Sequence, residues 1–205
     1  HGRAGLARLR WPLVVLLASI PRVEAGDDVR EPLARAHLGD PTAGPAVLPL
    51  LGSPDGALRA EAAAALAGLR FSASLRSLTR LRRSDPEAVV REEAAIAAFV
   101  LGEAAARTDV TRIGTQTLEC TSPDAGCADA QTLDRMRRAA LALAASGDGA
   151  GGAVLLALAG DASARSSQRV AAIGALGRLR VRGSRAVLEP LLADLVLRTV
   201  AAEAL

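Results

Sequence analysis

One block returns along this chain and restricts it to a repeat architecture. The block is an apolar residue, Arg, two variable positions, Ala-Ala or a close equivalent, then Ala-Leu. It reads LRAEAAAALAGL over 58–69, VREEAAIAAFVL over 90–101, QRVAAIGALGRL over 168–179 and LRTVAAEAL over 197–205. VREPLARAHLG over 29–39 is a weaker copy. RMRRAALALAAS over 135–146 is a degenerate one, with Met136 in the Arg slot. Arg30, Arg59, Arg91, Arg169 and Arg198 stand 29, 32, 78 and 29 residues apart, the long gap holding the degenerate copy and an insertion. A period of roughly 30 is that of a two-helix repeat.

Each block follows a shorter apolar segment and a polar turn. AVLPLLGSPDGALR over 46–59 parallels AVLEPLLADLVLR over 186–198, and LRSLTRLRRSDPEAVVR over 75–91 and AVLLALAGDASARSSQR over 153–169 share the plan. The first segment predicts a short helix A and the block a helix B. The turns carry Ser53-Pro54-Asp55, Ser84-Asp85-Pro86, Asp161 and Asp194. Ser and Asp are N-cap residues, and Pro suits a first helical turn. Half of the chain is hydrophobic, yet it has two Phe, one Trp and no Tyr. Ala and Leu form helices well, and Ala allows close approach. Such helices cannot bury their apolar faces singly, but stacked pairs can.

The apolar-Arg-x-x-Ala-Ala-x-Ala-Leu block after an Asp/Pro turn resembles HEAT repeats, and among them the short HEAT-like repeats also found in phycobilisome lyases. The resemblance covers about residues 29–102 and 134–205. It implies an all-α fold, a right-handed α-α superhelix of about five helix pairs with one irregular insertion. It also implies a structural ladder in which the turn Asp pairs with the helix B Arg: Asp55 with Arg59, Asp85 with Arg91, Asp161 with Arg169, Asp194 with Arg198. The degenerate copy departs from the pattern, which puts its packing in doubt. Repeats of this kind serve many unrelated proteins, so the fold alone names no function.

Residues 1–25 read as a secretory signal peptide: basic HGRAGLARLR, apolar WPLVVLLASI, then Val23-Glu24-Ala25 with small residues before a cleavage point ahead of Gly26. The alternative is a buried N-terminal helix. The apolar run is shorter than the roughly 20 residues a membrane span needs, so no integral span is expected in the mature chain. The repeat domain is then 26–205. The sequence starts at His1 and stops inside a repeat at Leu205, so truncation at the C-terminus is expected. Residues 103–133 are rich in Thr, Asp and Gly and read as an insertion in place of the third helix A. They contain Cys120 and Cys127, the chain's two cysteines. In an exported protein this pair reads as a structural disulfide, worth roughly 2–3 kcal/mol if unstrained. Free thiols are the next reading. A zinc site is disfavoured because neither His nor a third Cys lies nearby.

No catalytic constellation is present in the sequence, so no enzyme activity and no cofactor are expected. The His residues are His1 and His37, and His37 fills an Ala/Leu slot of a helix. GDGAGGA over 147–153 lacks the phosphate-loop form, which also needs a Lys that this chain lacks; it reads as an inter-helix turn. All 25 basic residues are Arg, which fits GC-rich bacterial coding. Residues 26–205 balance 21 Arg against 21 acids, and aromatic stacking platforms are scarce, so nucleic acid is not an expected partner. Two Arg-rich stretches remain: Arg76, Arg80, Arg82 and Arg83, and Arg178, Arg180, Arg182 and Arg185. Each is a solvated edge or a basic ridge for an acidic partner. The resulting expectation is a periplasmic or secreted scaffold without catalysis, binding an unidentified protein in an unspecified oligomeric state. The alternatives are a lyase-like, cofactor-handling module and a repeat module attached to a catalytic domain outside this sequence.

Overall fold

A computed structural model describes residues 29–116 and 130–205. The expected signal peptide and the expected Cys120–Cys127 disulfide lie outside the described residues. All regular structure among the described residues is helical, and it is ordered as expected for an α-solenoid. Helix α1 (Arg30–His37) is a B helix. Five A/B pairs follow. Helix α2 (Gly44–Val47), extended by a 3-10 turn (Leu48–Gly52), precedes α3 (Gly56–Gly68). Then come α4 (Leu75–Ser84) and α5 (Ala88–Val100), α6 (Arg107–Gly114) and α7 (Ala130–Ala145), α8 (Gly152–Gly160) and α9 (Ser166–Leu179), and α10 (Ser184–Leu191) and α11 (Arg198–Ala204). The B helices α1, α3, α5, α7, α9 and α11 pack in succession, each on the one before it, and α3, α5, α7, α9 and α11 each pack on their own A helix.

Local chemistry sets the boundaries. The four turn aspartates each accept the N–H two residues on: Asp55 from Ala57 at 2.9 Å, Asp85 from Glu87 at 3.0 Å, Asp161 from Ser163 at 2.8 Å and Asp194 from Val196 at 2.8 Å. They therefore fold the A-to-B turn, but of the four only Asp55 is the expected N-cap of its helix B; α5, α9 and α11 start after Glu87, Arg165 and Leu197. At the other end, α1, α3, α5, α7 and α9 are each followed by a left-handed residue: Gly39, Arg70, Gly102, Gly147 and Arg180. The next N–H then reaches back to close the helix, as Phe71 N–H does to Leu66 O and Asp148 N–H to Leu143 O. Gly147 ends α7 in this way, so the expected inter-helix turn is found but stops at 151, and Gly152 and Ala153 open α8.

The core follows the repeat. Ala62, Ala63 and Leu66 of α3, Ala94, Ala97 and Ala98 of α5, and Ala172, Ile173 and Leu176 of α9 are buried. Leu78 and Leu81 bury one face of α4 while Arg76, Arg80 and Arg83 face solvent. A smaller cluster of Ile96, Val110, Ile113, Ala139 and Leu143 joins the two halves of the array. Small side chains permit this stacking. A Cβ on Gly177 would lie 2.7 Å from the Ala204 Cα, so α9 and α11 meet only because residue 177 is glycine.

Two expectations are corrected. The insertion does not span 103–133. Helix α6 occupies 107–114 and supplies the missing helix A, burying Val110 and Ile113, and α7 already starts at Ala130. In RTDVTRIG, Thr, Val and Ile lower helix propensity, so eight residues gave too weak a periodicity to read. The degenerate copy also packs well. Met136 occupies the Arg slot as a core residue, 1% exposed.

Candidate docking surface

The ladder of Asp and Arg exists, but its register differs from the expectation. Arg59 does not pair with Asp55. Its Nε and Nη2 donate to Asp85 of the next repeat at 2.8 and 2.9 Å, while its Nη1 donates to the Ser53 and Pro54 carbonyls of its own turn at 2.9 and 3.1 Å. Arg91 likewise grips the Asp85 and Pro86 carbonyls, not the Asp85 carboxylate. Arg137, next to Met136, reaches Asp161. Arg169 lies 3.9 Å from Asp194, not on Asp161, and Arg198 meets Asp194 through backbone alone. Arg59 therefore joins its own turn to the following one, and Arg137 and Arg169 also point to the following turn's Asp, Arg169 at 3.9 Å. The physical reason is reach: a guanidinium on the first turn of helix B lies beside its own turn's carbonyls, and the turn carboxylate already serves its own backbone N–H.

Electrostatics follow the geometry. Burial pushes the Asp85 carboxyl up, but the Arg59 hydrogen bonds, the Glu87 N–H and the charges of Arg59 and Arg91 outweigh it, leaving Asp85 below its ordinary range. Asp161 is also held low, chiefly by the Ser163 hydroxyl, with the Ser163 N–H and Arg137 adding to it against burial. Further pairs link neighbouring repeats. Arg82 donates to Asp109 at 2.7 Å and Glu103 at 3.1 Å, and Arg107 to Asp148 at 2.8 Å. Glu93, 5% exposed, accepts both Nη atoms of Arg138, whose Nε bonds Asp134. These contacts were not read from the sequence. Their signal is faint: apart from Asp134 and Arg138, an i,i+4 pair on α7, the charges that meet stand 21 to 45 residues apart, among many such pairs.

Two faces are left for contact with other molecules. The A-helix row shows Arg76 and Arg80, exposed and without an ion pair to any described residue; Arg83 lies 3.9 Å from Glu103, and Arg82 is consumed in the junction. The four arginines of the first stretch are thus split between packing and surface. The second stretch is divided between elements: Arg178 on α9, Arg180 and Arg182 in the turn after it, and Arg185 on α10, bound to Glu189 at 2.7 Å. The B-helix row carries grooves on the side away from the A helices. One of about 440 Å³ lies over α3, α5 and α7, beside Glu61, Glu93, Asp134 and Arg138. Another of about 410 Å³ lies over α7, α9 and α11, beside Leu141, Val170, Gly174, Arg178 and Val200. His37 is half-exposed on α1, 3.2 Å from Glu61, as a surface helix residue.

Residues 28–98 match the family model described as HEAT repeats. Over these residues the chain carries HEAT repeats. The match is to HEAT repeats at large and does not single out the phycobilisome-lyase type. No curated protein matches the chain. HEAT repeats form helical scaffolds and protein-interaction modules, and here the described repeats extend to residue 204 with the same A/B plan. Among the described residues no helix is long and apolar enough to cross a membrane.

Proposed function

We propose that this chain is an exported, non-catalytic scaffold that binds a partner protein along its solenoid surface. The observation that carries this reading is the open B-helix row: several successive helices present grooves on one side while ion pairs hold neighbouring repeats together. A surface fixed in this way binds without first having to be ordered. Export is supported by the basic, apolar and small-residue order of residues 1–25. The test is cross-linking of the tagged full chain in its native cells, read by mass spectrometry against an unrelated helical-repeat control. Cross-links from B-row residues to one dominant protein are expected; their absence overturns the scaffold reading. N-terminal sequencing of the exported protein should begin at Gly26, and an intact N-terminus in the cytoplasm would sink export.

A further inference from the structure

We propose that the groove over α7, α9 and α11 docks an apolar segment of the partner that carries a carboxylate, and that Arg178 receives this carboxylate. The proposal rests on the protein-binding reading and adds to it the face and the chemistry of the partner.

The groove has apolar walls from three B helices, Leu141 of α7, Val170 of α9 and Val200 of α11. Its volume, about 410 Å³, lies in the range that buries a few side chains. It runs on past Gly174, Arg178 and Val200 into a second hollow of about 220 Å³, bounded by Gly177, Glu203 and Ala204. Gly174 keeps the floor open. A Cβ there would meet one side-chain atom within 4 Å, the Arg178 Nη1 at 3.4 Å, so packing does not require glycine at this position. Gly177, one turn on, is the opposite case, closed by Ala204. A helix-weakening residue is thus placed where its only structural effect is to leave space.

Charge decides the occupant. Arg178 is exposed and forms no ion pair with any described residue, and the same holds for Arg180 and Arg182 on the following turn. Residues 130–205 hold ten Arg against six acids, whereas residues 29–116 hold eleven against ten. The excess positive charge therefore lies in the half that contains this groove. The groove over α3, α5 and α7 differs, because Glu93, Asp134 and Arg138 there satisfy one another. Glu203 borders the adjoining hollow, but it forms no ion pair with Arg178, which is the one charged residue lining the groove itself, and a guanidinium set in an apolar trough suits one carboxylate flanked by apolar side chains. Nucleic acid would ask for a row of cations along a phosphate backbone.

The experiment pans a random-peptide display library on the full chain, then measures the enriched sequences as synthetic peptides by fluorescence polarisation. Enriched peptides should combine apolar residues with Asp or Glu. Their affinity should fall roughly tenfold or more in Arg178→Glu and in Gly174→Leu. Gly174→Leu should keep or raise Tm, since leucine favours the helix and enters open space, so its lost binding is not unfolding. An Arg76→Glu/Arg80→Glu variant should bind as the parent does. Neutralising the peptide's Asp or Glu should weaken binding to the parent and have little further effect on Arg178→Gln. Enriched peptides without an acid, or binding that ignores both groove substitutions, would overturn the site while leaving the protein-binding reading in place. Failure to enrich any peptide also overturns it, and the cross-linking result then decides the broader reading independently.

Discussion

The junction between the α2/α3 and α4/α5 repeats and the junction between the α8/α9 and α10/α11 repeats use the same residue types to different effect. In the first, Arg59 and Asp85 meet through two hydrogen bonds at 2.8 and 2.9 Å, with side chains only 9% and 3% exposed. In the last, Arg169 stands 3.9 Å from Asp194, which is 34% exposed, and the Arg169 Nε turns to the Ala159 carbonyl at 3.2 Å. The turns differ accordingly. Pro86 and Glu87 follow Asp85, and Glu87 adds a second acceptor 3.3 Å from Arg59. Leu195 and Val196 follow Asp194 and are largely exposed. The same Arg–Asp pair is thus a buried, hydrogen-bonded clasp at one site and a long contact to a partly exposed carboxylate at the other, with Arg169 itself 11% exposed. What decides between them is how the turn presents its carboxylate.

The most direct way to break this contrast is Arg59→Ala. It leaves Asp85 buried without its cation, so we expect a loss of about 3–5 kcal/mol in urea unfolding. A loss near that of a surface pair would mean that Asp85 is not buried in solution. The variant should also flatten the acid side of the stability curve. A carboxyl held below its ordinary range contributes stability above about pH 4, and that contribution is lost as pH falls through the folded value. Replacing Met136 with Arg restores the repeat's own pattern yet should cost about 3 kcal/mol, because Arg137 already serves Asp161 and the new charge would enter the core. A neutral result by thermal melting would show that the slot tolerates either residue. Arg169→Ala should cost only about 1 kcal/mol in the same urea assay, the worth of one ordinary hydrogen bond plus a distant pair. If it matched Arg59→Ala, the two junctions would be equivalent after all. Last, Arg70 and Arg180 hold left-handed backbone, φ 50° and 49°, where other copies use glycine. Arg70→Gly and Arg180→Gly should each raise stability by about 1 kcal/mol in calorimetry.

The repeat plan was legible because it rests on local, recurring signals: Ala and Leu at helical spacing in 58–69, 90–101 and 168–179, and Asp at each turn. That the aspartates belong to the turns followed from residue type, but of the four only Asp55 takes the expected N-cap place. The ladder's register did not, because Arg59 and Asp85 are 26 residues apart and Arg169 and Asp194 are 25 apart. Sequence spacing favours the nearer Asp, whereas the solenoid brings the next repeat's Asp closer to the guanidinium. Helix α6 escaped notice because its burial depends on Val110 and Ile113 meeting α7, a tertiary contact with little local trace. Of the surface arginines, nothing in the sequence separated Arg82, spent on Asp109 and Glu103, from Arg80, left in solvent. Both sit in the same polar run, and only the helix face distinguishes them.

The direction of the Arg-to-Asp links gives the array a polarity. Each guanidinium comes earlier in the chain than the carboxylate it holds in the next repeat: Arg59 before Asp85, Arg137 before Asp161, Arg169 before Asp194. A chain emerging from its amino end therefore presents the cation before the turn that needs it, and each new pair of helices docks onto one already made. Trimming from the two ends is not equivalent. Removing repeats from the carboxyl end leaves every surviving turn with its guanidinium, whereas removing them from the amino end strips the first surviving turn of its partner.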